Sequence, residues 1–168
     1  MSIRPRILPL LLLCAFQPLS FTHSHALSEA YRAPFRQEIN FLIMKAPPYV
    51  WGGCNDTGAD CSGLIWWAAK RAGMPVKRTT AIEMWRGSGN WLGKDIKFMN
   101  LEQCDLIWWS WKNKPNRPFG HVGLVHEGEN GIYQIFHAST CKKHAILQPC
   151  ADVFIRDFAG AKRLSFGD

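Results

Sequence analysis

The spacing of apolar residues changes near position 105 from a helical period to a strand period, and that change limits the folds open to this chain. Before it, Phe35, Ile39, Leu42 and Ile43 recur at helical spacing and predict a helix over 28–45, with Pro34 suited to its first turn. Ala46-Pro47-Pro48 stops it, because a proline disfavours helix in the residue before it. Leu64, Ala68 and Ala72 then share a face with Ile65 and Ala69, and Gly73 stands where a C-terminal cap is needed. Thr80 with Glu83 fits a capping box and predicts a short helix over 81–86, followed by a loop over 87–100. After the change, the segments 105–111, 120–126, 131–137 and 161–166 are short, apolar or β-branched, and bounded by Gly, Asn, Pro or Lys. Glu129-Asn130-Gly131 carries a hairpin signal that sets position 121 about opposite 138. The expected architecture is α+β: helices first, packed on an antiparallel meander, in one domain.

The N-terminus reads as an export signal. Arg4 and Arg6 precede an apolar run over 7–16, and Ser24-His25-Ala26 offers a small-x-small cleavage site, so the domain is expected over 27–168 and 1–26 as signal peptide. The run is shorter than the ~20 residues of a membrane-spanning helix, which argues against a stable span. Removing it takes away two of the 20 Lys and Arg and none of the 13 acids, so the formal charge falls from +7 to +5. The remaining basic residues are scattered, with no recognition helix or RNA-binding signature, which argues against nucleic acid; an anionic wall or surface polymer suits an exported basic protein better.

Export also bears on the cysteines. Cys54, Cys61, Cys104, Cys141 and Cys150 remain, an odd number in a compartment that favours pairing. If Cys61 stays free, the other four can form two bridges; Cys141 with Cys150, closing a short polar loop, is the expected pair, leaving Cys54 with Cys104. Cys141, His144 and Cys150 lack the paired short spacings of a zinc site, and no metal or other cofactor is expected.

Cys61 begins the second helical pattern, directly after a loop. A thiol attacks carbonyls as the thiolate, and a helix N-terminus favours that form, as does a histidine base. The base can come from far along the chain, because only spatial proximity matters. His121 opens one predicted strand and His137 ends its neighbour, so the hairpin brings a base and a group to orient it to one edge. The bland alternatives are a buried small hydrophobe for Cys61 and satisfied polar residues for the histidines; the three together, in this order and on these elements, favour chemistry.

Tyr49-x-Trp51-Gly52-Gly53, Asp60-Cys61-Ser62-Gly63-Leu64, Cys104-Asp105-Leu106-Ile107-Trp108-Trp109, Gly120-His121-Val122-Gly123-Leu124-Val125 and His137-Ala138-Ser139 together resemble the NlpC family of papain-like cell-wall cysteine peptidases over about 35–165. The resemblance implies a papain-like fold with the nucleophile at the N-terminus of a central helix. It implies Cys61 as nucleophile, His121 as general base and then acid, and His137 as the residue orienting His121. It also implies that the Tyr49 hydroxyl joins the Cys61 N–H in the oxyanion hole, and that Asp60 and Ser62 hold the amine end of a stem peptide. Helix capping is the competing role for Asp60 and Ser62. Cys104 stands where the family usually has Gly, and the segments 112–119 and 140–149 are longer than a minimal member's loops.

The function so implied is an exported, periplasmic or secreted, endopeptidase or amidase cleaving peptidoglycan stem peptides, at the γ-D-glutamyl to diamino acid bond. The same chemistry would serve a secreted antibacterial or host-directed amidase effector. A non-catalytic wall-binding module has no need of the Cys, His, His and Tyr set. Related acyltransferases tend to place His before Cys, the reverse of the order here.

Overall fold

The computed structural model describes residues 29–110, 118–150 and 157–165. The expected signal peptide, Trp111 and positions 112–117 of the long insert lie outside them.

Helix α1 (Glu29–Lys45) buries Phe35, Ile39 and Leu42. It starts further upstream than its proline suggests, so Pro34 lies in the second turn and not the first. The ring removes the bond to the carbonyl of Ala30, an exposed residue. Ala46 ends the helix at φ 45°. A two-stranded hairpin, β1 (Cys54–Asn55) and β2 (Gly58–Ala59), leads into helix α2 (Cys61–Arg71), which Gly73 follows at φ 77°. Helix α3 (Ala81–Trp85) opens on Thr80, whose hydroxyl accepts from the Glu83 N–H.

Six strands form the main sheet: β3 (Gly93–Ile96), β4 (Leu106–Trp109), β5 (His121–Glu127), β6 (Tyr133–Ser139), β7 (His144–Pro149) and β8 (Phe158–Leu164). Their order is β3-β8-β4-β5-β6-β7, every neighbouring pair antiparallel. Strands β4, β5 and β6 run as the expected meander, while β8, the fourth strand expected, returns to lie between β3 and β4. Strands β3 and β7 fall in segments expected to be loops. The first is half-exposed and carries Lys94 and Asp95; the second is half-buried, with its Ala145-Ile146-Leu147 run set between the exposed His144 and Pro149.

The sheet separates two cores. Leu106, Leu124, Phe136, Ala138 and Val122 pack against Leu64, Ala68 and Phe35 on the helix side, while Ile107, Val125, Ile135 and Ala161 gather on the other. Trp91 and Trp108 are fully buried, and each donates its indole N–H at 2.8 Å, to the carbonyls of Lys77 and Ala81.

The β5–β6 register is one residue out of step with the expected pairing. Leu124 faces Phe136 and Val125 faces Ile135, which carries position 121 towards 139 and not 138. Because side chains alternate across a strand, that single step puts His121 and His137 on the same face; the expected pairing would have put them on opposite faces.

All five cysteines among the described residues are free, which corrects the expected bridges. Cys141 lies in the turn before β7 and Cys150 just beyond its far end, so the whole strand separates them. At ~3.3 Å per residue that separation far exceeds the ~7 Å a disulfide can span. Cys104 is held at φ 75°, a left-handed conformation that favours Gly, and its thiol is buried.

Candidate active site

Cys61 is the first residue of α2 because Asp60 caps that helix, its Oδ1 accepting the Gly63 N–H at 2.6 Å. Glycine is required at 63: a Cβ there would lie 2.0 Å from the Gly53 carbonyl oxygen. The β1–β2 hairpin therefore packs backbone to backbone on the helix start and fixes where the thiol points.

The thiol is buried against β5, where the Val122 N–H donates to it. The β5–β6 ladder ends at Leu124 and Phe136, two residues short of this point, so β6 does not claim that N–H. Burial pushes the Cys61 thiol up to about 11, and the nearby Asp60 carboxylate adds to the rise. The N–H groups of Val122 and Ser62 and the Arg78 guanidinium pull the other way without prevailing. The expected thiolate-favouring helix N-terminus is thus outweighed by desolvation, and Cys61 rests as a neutral thiol.

His121, the first residue of β5, places Nε2 3.0 Å from Nδ1 of His137 on β6. Both rings are buried. Burial, and then the neighbouring His137, hold His121 well below 6.5. Burial also lowers His137, against the raising effect of its contacts with Gln148 and Ala138. The pair is therefore neutral at pH 7, which suits acceptance of a proton.

Tyr49 is tied to the turn before β7 by its N–H, which donates to the Lys143 carbonyl at 2.7 Å, and it bridges to Ala59. Burial first, then the negative charges possible at Cys61 and Asp60, push its phenol up to about 12, so it remains a hydrogen-bond donor. Its phenol is close enough to the Cys61 thiol to feel that group's charge.

A family model described as NlpC/P60 matches residues 46–163, which span Tyr49, Cys61, His121 and His137. The chain belongs to the NlpC/P60 family. Among curated proteins it is similar to the bifunctional muramidase/DL-endopeptidase CwlT of Bacillus subtilis (strain 168), at 54% identity over 39 residues, 23% of this chain and 12% of CwlT. Among solved structures it is similar to NlpC2 from Trichomonas vaginalis, at TM-score 0.62 and 22% identity over 80% of this chain and 47% of that one. It is also similar to the peptidoglycan hydrolase RipB from Mycobacterium tuberculosis, at TM-score 0.54 and 22% identity over 81% and 69%. The chain spans under half the length of CwlT and NlpC2, and these structural likenesses establish the fold.

Three residues of this NlpC/P60 site are given no role there by the sequence reading. Arg78 donates to both Asp60 oxygens, at 2.9 and 2.8 Å, and to the Ser62 hydroxyl at 2.8 Å, as well as to the Thr79 carbonyl. Trp109 on β4 lies opposite His121, its ring centroid 4.5 Å from that imidazole and 5.2 Å from His137. Gln148 on β7 contacts His137 Nε2 at 3.1 Å. Arg78 lies in a segment without periodicity, Trp109 sits among seven other tryptophans, and Gln148 is in the stretch expected to be loop. Asp60 and Ser62 do stand beside Cys61, with Asp60 as the cap and the Ser62 hydroxyl donating to it at 3.0 Å. Asp105, also within a family motif, is fully buried and paired with Arg163 away from this site.

Proposed function

We propose that the chain is an exported cysteine endopeptidase or amidase that hydrolyses peptidoglycan stem peptides at the γ-D-glutamyl to diamino acid bond. The observation that carries this reading is the 3.0 Å contact between two buried, neutral imidazoles at the strand edge against which the Cys61 thiol packs. Its similarity to CwlT, a muramidase/DL-endopeptidase, and to RipB, a peptidoglycan hydrolase, supports the substrate class.

In this reading Cys61 Sγ attacks the scissile carbonyl carbon as its proton passes to His121, so thiolate forms only during attack. The S–C bond forms and the carbonyl oxygen takes the negative charge, facing the Tyr49 hydroxyl and the Cys61 N–H. Collapse breaks the C–N bond, and His121 gives its proton to the departing amine. Water then attacks the thioester with His121 as base, the C–S bond breaks, and the proton returns to sulfur. His137 holds the His121 ring throughout. The chemistry calls for no metal or cofactor.

Asp60 and Ser62 enter this proposal as the binding site for the amine end of the peptide. Asp60 already accepts five hydrogen bonds, from Gly52, Ser62, Gly63 and twice from Arg78. An ammonium group would replace the solvent-facing Gly52 N–H and share the carboxylate with Arg78.

The test is digestion of purified sacculi and of a defined tetrapeptide by residues 27–168, with products identified by mass spectrometry. New amine and carboxyl ends at one bond are expected from wild type and none from Cys61→Ala. Equal cleavage by the two proteins would overturn the mechanism.

A further inference from the structure

Gln148 lies two positions along β7 from Ile146, the partner of His137 in the β6–β7 ladder, so its side chain falls on the same face as the histidines. Its carboxamide oxygen is 3.1 Å from His137 Nε2. A carboxamide oxygen only accepts, so His137 must carry its proton on Nε2. A neutral imidazole has one N–H, which leaves Nδ1 of His137 as an acceptor. That atom is 3.0 Å from Nε2 of His121, which must therefore be the donor. The single proton of His121 is then spent on this bond, and its Nδ1 keeps the basic lone pair. Both rings are held neutral by burial, so neither has a spare proton with which to break the sequence.

We propose that Gln148 is a positioning residue whose carboxamide oxygen sets the tautomer of both histidines, so that Nδ1 of His121 is the atom that takes the Cys61 proton. Turned the other way, the amide would donate to His137 Nε2. Each later bond would reverse, and Nδ1 of His121 would carry a proton where the thiol needs a base. Gln148 touches neither the substrate nor the thiol; it acts through two rings. The inference rests on the proposed roles of Cys61 and His121, but the tautomers exist whether or not a wall peptide is cleaved.

The test therefore begins with the resting protein. Long-range 15N–1H correlation spectra at pH 7.5 are expected to show both His121 and His137 protonated on Nε2. A wild-type spectrum with either ring protonated on Nδ1 would overturn the proposal, whatever the protein cleaves. Gln148→Met keeps the length and removes the acceptor; Gln148→Glu keeps an acceptor and cannot donate. Gln148→Met is expected to mix the tautomers of both rings and to slow single-turnover acylation by about 10- to 100-fold with little change in KM. That is less than the ~10⁴-fold cost of a wrong tautomer in a serine protease triad, because His137 itself remains. Gln148→Glu is expected to restore the wild-type tautomers and to move the acid limb of the pH profile upward, since a carboxylate favours the imidazolium. A Gln148→Met protein with unchanged tautomers and an unchanged pH profile would also overturn it. If that variant fails to fold, the wild-type and Gln148→Glu spectra still decide. Wild-type protein that shows the expected tautomers but leaves peptidoglycan intact would count against the proposed substrate and not against Gln148.

Discussion

Arg78 grips Asp60 through both carboxylate oxygens, and Asp60 in turn caps the helix that begins with Cys61. The pair is more than two-thirds buried on both sides. Removing one partner leaves a poorly solvated charge, which costs more than the bond itself contributes. Arg78→Met is expected to lower stability by about 2–3 kcal/mol, with the partial exposure of Arg78 keeping the loss below that of a fully buried pair. It should also slow alkylation of Cys61, whose thiolate loses a nearby cation. Urea unfolding and iodoacetamide kinetics measure the two effects. Arg78→Lys keeps the charge without the two-pronged geometry and is expected to recover the alkylation rate more fully than the stability.

The resting protonation states fix the pH dependence of activity. With His121 held well below 6.5, the base stays unprotonated through pH 6.5, so kcat/KM is expected to hold there and to fall only at distinctly lower pH. Alkylation of Cys61 in the free enzyme should keep rising with pH towards about 11 and show no plateau between 6 and 8. A plateau in that interval would mean a standing thiolate–imidazolium pair.

Stability follows the same groups with a definite sign. His121, His126 and His137 have folded values below 6.5, so as pH falls through 6.5 the unfolded chain takes up protons first and stability is lost. The thiols of Cys61, Cys104 and Cys150 are raised from 9.0 to about 11, so as pH rises past 9.0 the unfolded chain releases protons first and stability is lost again. Thermal melts should be flattest between about pH 7 and 8, declining on both sides. His137→Gln should shallow the acid limb, and Cys104→Ala the alkaline one.

Gly123 makes room for the aromatic wall of the site. A Cβ there would meet Ile135 Cγ2 at 2.6 Å and the tip of the Trp109 ring at 3.0 Å. Gly123→Ala is expected to cost about 1–3 kcal/mol by overpacking and to push Trp109 off the two imidazoles. Trp109→Phe, smaller but still aromatic, should relieve much of that loss in the double variant. Chemical denaturation of the four proteins gives the coupling.

Local signals made much of the site legible. Thr80 and Gly73 mark helix ends by chemistry confined to a few neighbouring residues, and both serve as expected. The sequence Asp60-Cys61-Ser62-Gly63 likewise encodes a cap, a first helical residue and a glycine where two backbones meet. Strand β7 escaped notice because its inner face carries short apolar residues between a basic turn and Pro149, a pattern that reads as a polar loop. With that strand went Gln148, and in its place came a disulfide that the extended chain forbids.

Hydrophobic period and capping act within a few residues, so helices α1, α2 and α3, strands β4, β5, β6 and β8, and the place of Cys61 at the start of α2 are legible in the sequence alone. The protonation states of Cys61 and the histidines follow from contacts between distant parts of the chain. The one-residue register that puts His121 and His137 on one face, the Arg78 grip on Asp60, and the burial that keeps thiol and imidazoles neutral all depend on groups far apart in the chain. Their approach is set by how the sheet packs on α2, and a thiol's protonation follows the solvent and charges it meets there, not its neighbours in sequence.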